Sequence, residues 1–337
     1  MSRKSTPQAG AVAHQRINIG GIHTVVYNLE AAKRSDLPIT VLIATHGRGE
    51  DQFGLTKLVE GTYKKINELE NQAGNSGKKK RELIIVTLDQ RNHGERKVDD
   101  ISNQGFEAND RHAVDMCAMY RGTARDISFL IDFIPAYLFP EGERTIEKFA
   151  VTGVSLGGEL LSQALSRGGS AVDRSPFQGH ATWIVLRDEP RVTIGIPIIG
   201  CPDYYSMIKE RIARKPPSNG QRTLVGPAWP PSFAELIAKG DPCAVDYTSH
   251  DPAINPYINK QILILGGGDD KLVPPRFGQK IYDEMYMGEK GAKDMIIQDG
   301  VGHDTSSEMI ERVGEWIWKY GLSGAEPSAP VQQASQL

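Results

Sequence analysis

The segment Gly153-Val154-Ser155-Leu156-Gly157, directly after the apolar run Phe149-Ala150-Val151, constrains this chain more than any other. A G-x-S-x-G placed between a strand and a helix forms a sharp turn that lifts one serine hydroxyl off the strand's end. Only small neighbours fit so tight a turn, and Gly153, Gly157 and Gly158 supply them. A chain with 35 glycines also produces such a pentapeptide by chance, so its weight rests on what surrounds it. Upstream stands a strand, and downstream Leu160-Leu161-Ser162-Gln163-Ala164-Leu165 has a helical composition. A serine hydroxyl is a poor nucleophile at neutral pH. It needs an imidazole to take its proton and a carboxylate to orient that imidazole.

Both follow in the chain. Ile262-Leu263-Ile264-Leu265 is the continuous apolar run that a buried parallel strand requires, and it runs into Gly266-Gly267-Gly268-Asp269-Asp270. The last strand pattern, Asp294-Met295-Ile296-Ile297, leads to Gly300-Val301-Gly302-His303. Asp269 and Asp270 compete for the role of acid. Among His14, His23, His46, His93, His112, His180, His250 and His303, only His303 follows the last strand in a glycine-rich loop. The order is serine, acid, histidine, each just past the carboxyl end of a strand, where open α/β sheets bind their ligands. One oxyanion donor is then the backbone N–H of Leu156, the residue after the nucleophile.

Strand and helix patterns alternate along the chain, which predicts an α/β fold with a doubly wound, mostly parallel sheet of about eight strands. Arg16 to Tyr27 reads as a hairpin across Gly20-Gly21. Asn71 to Arg81 reads as a solvated loop and His112 to Phe133 as the helix before the serine turn. Two short helical patterns, Ser206 to Ala213 and Pro231 to Ala238, are separated by proline pairs. Residues 1–15 are expected to be a disordered arm, 16–321 the folded domain and 322–337 a disordered tail.

Several motifs together resemble the α/β-hydrolase superfamily, in its prolyl-oligopeptidase-like and dienelactone-hydrolase-like esterase branch. Asp270 with Val273-Pro274 is similar to the acid loop of that superfamily, which implies Asp270 as the acid. Thr45-His46-Gly47-Arg48-Gly49, after the strand Ile39 to Ala44, resembles its oxyanion loop. The resemblance implies the Arg48 amide, with Gly49 as the other choice, as the second donor. Asp89-Gln90-Arg91-Asn92-His93-Gly94-Glu95-Arg96 and Gly200-Cys201-Pro202-Asp203-Tyr204 resemble two further loops of the branch. His46, Gly47, Arg91, His93 and Tyr204 are the candidate substrate-binding residues. The competing reading has His46, Arg91 and His93 hold their loops and Tyr204 seat a cap. The resemblance places a small helical cap at about residues 202–260. It also predicts an insertion over 159–179, because the superfamily needs one helix where two helix-like stretches stand; a translated intron and a lineage insertion both fit.

Composition narrows the function. A chain of 337 residues with 39 % hydrophobic content can bury a large core, and a net charge of -3 gives no reason to expect nucleic-acid or membrane partners. Met1 to Gln15 is polar, so no secretory signal is expected, and no apolar run approaches the roughly 18 residues that span a bilayer. Cys117, Cys201 and Cys243 are odd in number and lack metal-type pairing, which predicts free thiols in a cytoplasmic protein with no metal and no cofactor. The resulting expectation is a serine hydrolase that cleaves small-molecule carboxylic esters through an acyl-enzyme. Thioester and peptide substrates share the same tetrahedral intermediate. A non-catalytic ligand-binding protein on the same fold is the alternative from another class.

Overall fold

The uninterrupted apolar runs of the sequence become the strands of a single sheet. The computed structural model describes residues 12–74, 78–154, 179–214 and 226–323. Its strands are β1 (His14–Ile19), β2 (Ile22–Tyr27), β3 (Ile39–Thr45), β4 (Glu82–Leu88), β5 (Ile146–Val154), β6 (Val192–Ile198), β7 (Gln261–Gly267) and β8 (Ala292–Gln298). They form one eight-stranded sheet in the order β1-β2-β4-β3-β5-β6-β7-β8. β2 runs antiparallel to β1 and β4, and the remaining pairings are parallel. The β1–β2 hairpin turns across Gly20 and Gly21, both at positive φ, as a primed two-residue turn requires.

β3 and β7 are buried along their whole length because helices cover both faces of the sheet. The helices are α1 (Leu29–Arg34), α2 (Thr56–Ala73), α3 (His112–Leu138), α4 (Gly179–Asp188), α5 (Tyr204–Arg214), α6 (Pro231–Gly240), α7 (Arg276–Glu284) and α8 (Ser307–Trp316). A π-helical turn, Ile317–Leu322, continues α8. α2 packs on α8 and α3 packs on α4. Gly61 and Gly314 allow the first pair to approach closely: a Cβ on Gly61 would stand 2.4 Å from the Ile310 side chain. The chain steps from β3 outward to β4 and then back past β3 to β5. With right-handed crossovers this reversal puts α2 and α3 on opposite faces and opens a crevice between the carboxyl ends of β3 and β5.

Several elements differ in extent from the sequence expectation. α3 runs five residues beyond Phe133, because Ile134 and Leu138 continue its buried stripe; Pro135 falls in the last turn, where Phe139 N–H closes on its carbonyl. α2 continues to Ala73, so the expected loop starts later, and Lys79 there sits 3.6 Å from Glu70 and 3.1 Å from Glu82. The two helices expected in the region of the cap are α5 and α6, each slightly longer than its pattern. Residues 1–11, most of the expected insertion (159–178), residues 215–225 and the tail from 324 lie outside the described residues. Among the described residues no helix is long and apolar enough to cross a membrane.

Trp183 on α4 is fully buried and meets Tyr257 edge-on, with ring centroids 6.0 Å apart. Removing so large a side chain leaves a cavity that close-packed neighbours fill only in part. Trp183→Ala is expected to cost about 3–5 kcal/mol in denaturant unfolding. A cost under about 1 kcal/mol would show that α4 does not pack on the core as described.

Candidate active site

The loops after β7 and β8 bring an acid and a base together. Gly268 N–H donates to the Gln298 carbonyl at 2.8 Å and Asp269 N–H to the Val301 carbonyl at 2.9 Å, which ties the two loops side by side. This approach leaves no space for a side chain at the end of β7. A Cβ on Gly267 would stand 2.3 Å from the carbonyl oxygens of both Val301 and Gly302. In the resulting arrangement His303 Nδ1–H donates to Asp270 Oδ2 at 2.8 Å. Asp270 Oδ1 accepts the amides of Leu272 at 2.7 Å and Val273 at 2.9 Å. Burial pushes the Asp270 carboxyl pKa up, but the His303 hydrogen bond and charge and the two amides outweigh it, so the pKa falls below its ordinary value. Asp270 is therefore an anion that fixes Nδ1 as the protonated nitrogen and makes Nε2 the basic one. Asp269, the competing acid, is exposed and uses its backbone in the loop pairing.

Val154, the last residue of β5, ends at the same edge of the sheet, and Ser155 follows it directly in the chain. Ser155 and Leu156 lie outside the described residues. Val154 lines a cavity of about 950 Å³ together with Glu50, Lys97, Asp304 and Thr305. A second cavity of about 520 Å³, lined by Arg48, Glu50, His93 and Lys97, adjoins it.

The loop after β3 is held from beneath. His46 is fully buried; its Nδ1–H donates to the Gly47 carbonyl at 2.8 Å, and its Nε2 accepts the Gln90 amide at 3.1 Å. The Gln90 side chain returns a hydrogen bond to the His46 carbonyl. Burial drives the imidazole pKa down to about 3, so the ring stays neutral and serves as a two-ended strut between the β3 and β4 loops. Gly47 N–H donates to Glu50 Oε2 at 3.3 Å. Arg48 is buried, with its guanidinium 3.4 Å from the His112 ring.

The loop after β4 is closed by Asp89, whose carboxylate accepts the Gln52 amide at 2.8 Å and the Glu95 amide at 2.9 Å. Gly94, at φ 51°, crosses directly over that carboxylate, and a Cβ there would lie 2.2 Å from it. Arg91 turns away from the cavity and forms a two-pronged pair with Asp126, at 3.2 and 2.9 Å. His93 is buried, faces the smaller cavity, and donates from Nδ1 to the Arg91 carbonyl, while its Nε2 has no hydrogen-bond partner. Tyr204 is fully buried, and its hydroxyl donates to the Ala113 carbonyl of α3 at 2.6 Å. Of the five candidate binding residues, His93 therefore lines a cavity, whereas His46, Arg91 and Tyr204 are engaged elsewhere. Gly47 contributes backbone.

Glu50 is a cavity-lining carboxyl that sequence reasoning passed over, although it stands only three residues beyond Gly47. Burial raises its pKa from 4.5 to about 7, with Asp51 and Asp304 adding to the rise and the Gly47 amide opposing it. Between those two values the folded chain keeps a proton that the unfolded chain gives up, so stability falls as pH rises through that window. Glu50→Gln keeps an acceptor for Gly47. It is expected to raise Tm at about pH 8 and to match the parent near pH 4 in thermal melts. An equal shift at both pH values would contradict the raised pKa. Gly267→Ala is expected to cost about 1–3 kcal/mol and to separate Asp270 from His303. An unchanged unfolding midpoint would show that the two loops are not so close.

The mostly parallel eight-stranded sheet and its crossover reversal give the chain the α/β-hydrolase fold. No protein-family model matches the sequence, and a search of curated proteins finds no relative. Solved structures do match. TT1662 from Thermus thermophilus is 15% identical, with 91% of this chain and 98% of that one covered and a TM-score of 0.57. Est1E from Butyrivibrio proteoclasticus, solved with ferulic acid bound, is 14% identical over 90% of this chain and 98% of that one, at a TM-score of 0.50. At these identities the likeness is one of fold.

Proposed function

We propose that the chain is a serine hydrolase that cleaves small-molecule carboxylic esters through an acyl-enzyme. One observation supports this above the others: the 2.8 Å His303–Asp270 hydrogen bond at the sheet edge where β5 ends in Val154, the residue before Ser155 in the chain. In this reading Ser155 Oγ attacks the ester carbonyl carbon as His303 Nε2 takes its proton. The developing oxyanion is held by the backbone N–H groups of Leu156 and Arg48. Collapse of the tetrahedral species expels the alcohol, protonated by His303. Water then attacks the acyl-serine with His303 again as base, releases the acid and restores the hydroxyl. Asp270 orients the imidazole and stabilises its charged form. Glu50 and His93 line the cleft that receives the substrate in this reading. The ligand bound to Est1E, ferulic acid, is an aromatic carboxylic acid of the kind such a reaction releases. The thiols of Cys117, Cys201 and Cys243 are unpaired, which supports placing the protein in the reducing cytoplasm.

A fluorophosphonate probe tests the nucleophile. Labelling of the parent and its loss in Ser155→Ala are expected, whereas an unlabelled parent chain would favour a non-catalytic binder. Asp270→Asn is expected to lower kcat by about 10⁴ with KM little changed, since the imidazole loses its orienting anion. Across p-nitrophenyl esters of increasing length, activity is expected to peak at short acyl groups. Hydrolysis of long chains alone would contradict that preference.

A further inference from the structure

The ends of the two cap helices converge on a cluster that the proposed hydrolysis does not use. Asp203 immediately precedes α5; Asp241 and Cys243 immediately follow α6. A carboxylate oxygen of each aspartate and the Cys243 sulfur lie within 4.8 Å of one another. Asp241 is buried, and its two oxygens have different fates. Oδ2 accepts the amides of Tyr204 at 2.8 Å and Tyr205 at 3.2 Å, capping α5. Oδ1 is buried without a hydrogen-bond partner. Across from it stands His180 Nε2, 3.8 Å away, on a ring buried to the same degree. His180 Nδ1–H donates to the Cys201 carbonyl, so Nε2 presents a lone pair. The two atoms stand too far apart to share a hydrogen bond. A buried carboxylate oxygen left in this state is costly unless a cation or a proton answers it.

We infer that Asp203, Asp241 and Cys243 form a structural site for a divalent transition-metal ion of the zinc class, joining the ends of the two cap helices. One thiolate and two carboxylates form a mixed soft and hard donor set that suits Zn²⁺ better than Mg²⁺ or Ca²⁺. Metal–ligand bonds of about 2.0–2.3 Å place neighbouring ligand atoms roughly 3.5 Å apart, so small side-chain rotations close the observed spacing around an ion. Cys243 is half-buried, which gives the ion a path from solvent. Binding releases the thiol proton, and water completes the coordination. Asp241 Oδ2 keeps its helix-capping role while Oδ1 turns to the metal. No cysteine pair or histidine spacing announces such a site, because Asp203 stands 38 positions before Asp241 in the chain and only Asp241 and Cys243 are neighbours.

Titration of the full chain with Co²⁺ alone, after chelator treatment, tests the site without reference to hydrolysis. One ion per chain is expected, with near-ultraviolet thiolate-to-cobalt absorption that Cys243→Ser abolishes. Asp241→Asn, which retains an oxygen to cap α5, is expected to weaken binding by roughly tenfold or more. Zn²⁺ is expected to raise the Tm of the parent and leave that of Cys243→Ser unchanged. Absence of the absorption band in a folded parent chain overturns the proposal. A band that survives in Cys243→Ser also overturns it, because the thiolate then comes from elsewhere.

Discussion

The close passage of the β7 and β8 loops is the contact on which the rest of the site depends. Two backbone hydrogen bonds and the bare backbone of Gly267 bring the loops together, and the same passage carries Asp270 to His303. The carboxylate is buried, yet it keeps its charge because an imidazole and two amides satisfy it. A buried anion with fewer partners would take up a proton and lose its grip on the tautomer. Parallel pairing of β5 through β8 then sets Val154, the residue before Ser155 in the chain, at the same edge of the sheet.

The opposite wall of the cleft rests on a different device. His46 is too deeply buried to ionise, so it can serve as a fixed hydrogen-bonding strut between the β3 and β4 loops. Asp89 does the equivalent for the β4 loop, with Gly94 passing over its carboxylate. His46 and Asp89 spend their hydrogen bonds on backbone, which rigidifies loops that carry little regular structure of their own. The cavity-facing groups, Glu50 and His93, stand on that prepared surface.

Much of the fold was legible because it depends on local pattern. Continuous apolar runs mark buried parallel strands, Gly20-Gly21 marks a primed turn, and alternation of elements marks a doubly wound sheet. His303 was legible for a related reason, since it follows the last recognisable strand, whereas the choice of Asp270 over Asp269 rests on the resemblance of its Val273-Pro274 loop to the family's acid loop. What periodicity does not reveal is which way a loop side chain turns. His93 and Arg91 stand two residues apart, yet one faces the cavity and the other is drawn to Asp126 on a distant helix. The elevated Glu50 carboxyl and the Asp203–Asp241–Cys243 cluster arise from contacts between segments far apart in sequence, where spacing carries no signal.

Acyl transfer to Ser155 is the central claim, and a trapped intermediate tests it most directly. The parent chain would be mixed with a p-nitrophenyl ester, quenched in acid within the first turnover, digested and mapped by mass spectrometry. One acyl adduct is expected, carried by Ser155. An adduct on any other residue, or steady hydrolysis by Ser155→Ala at the parent rate, would contradict it.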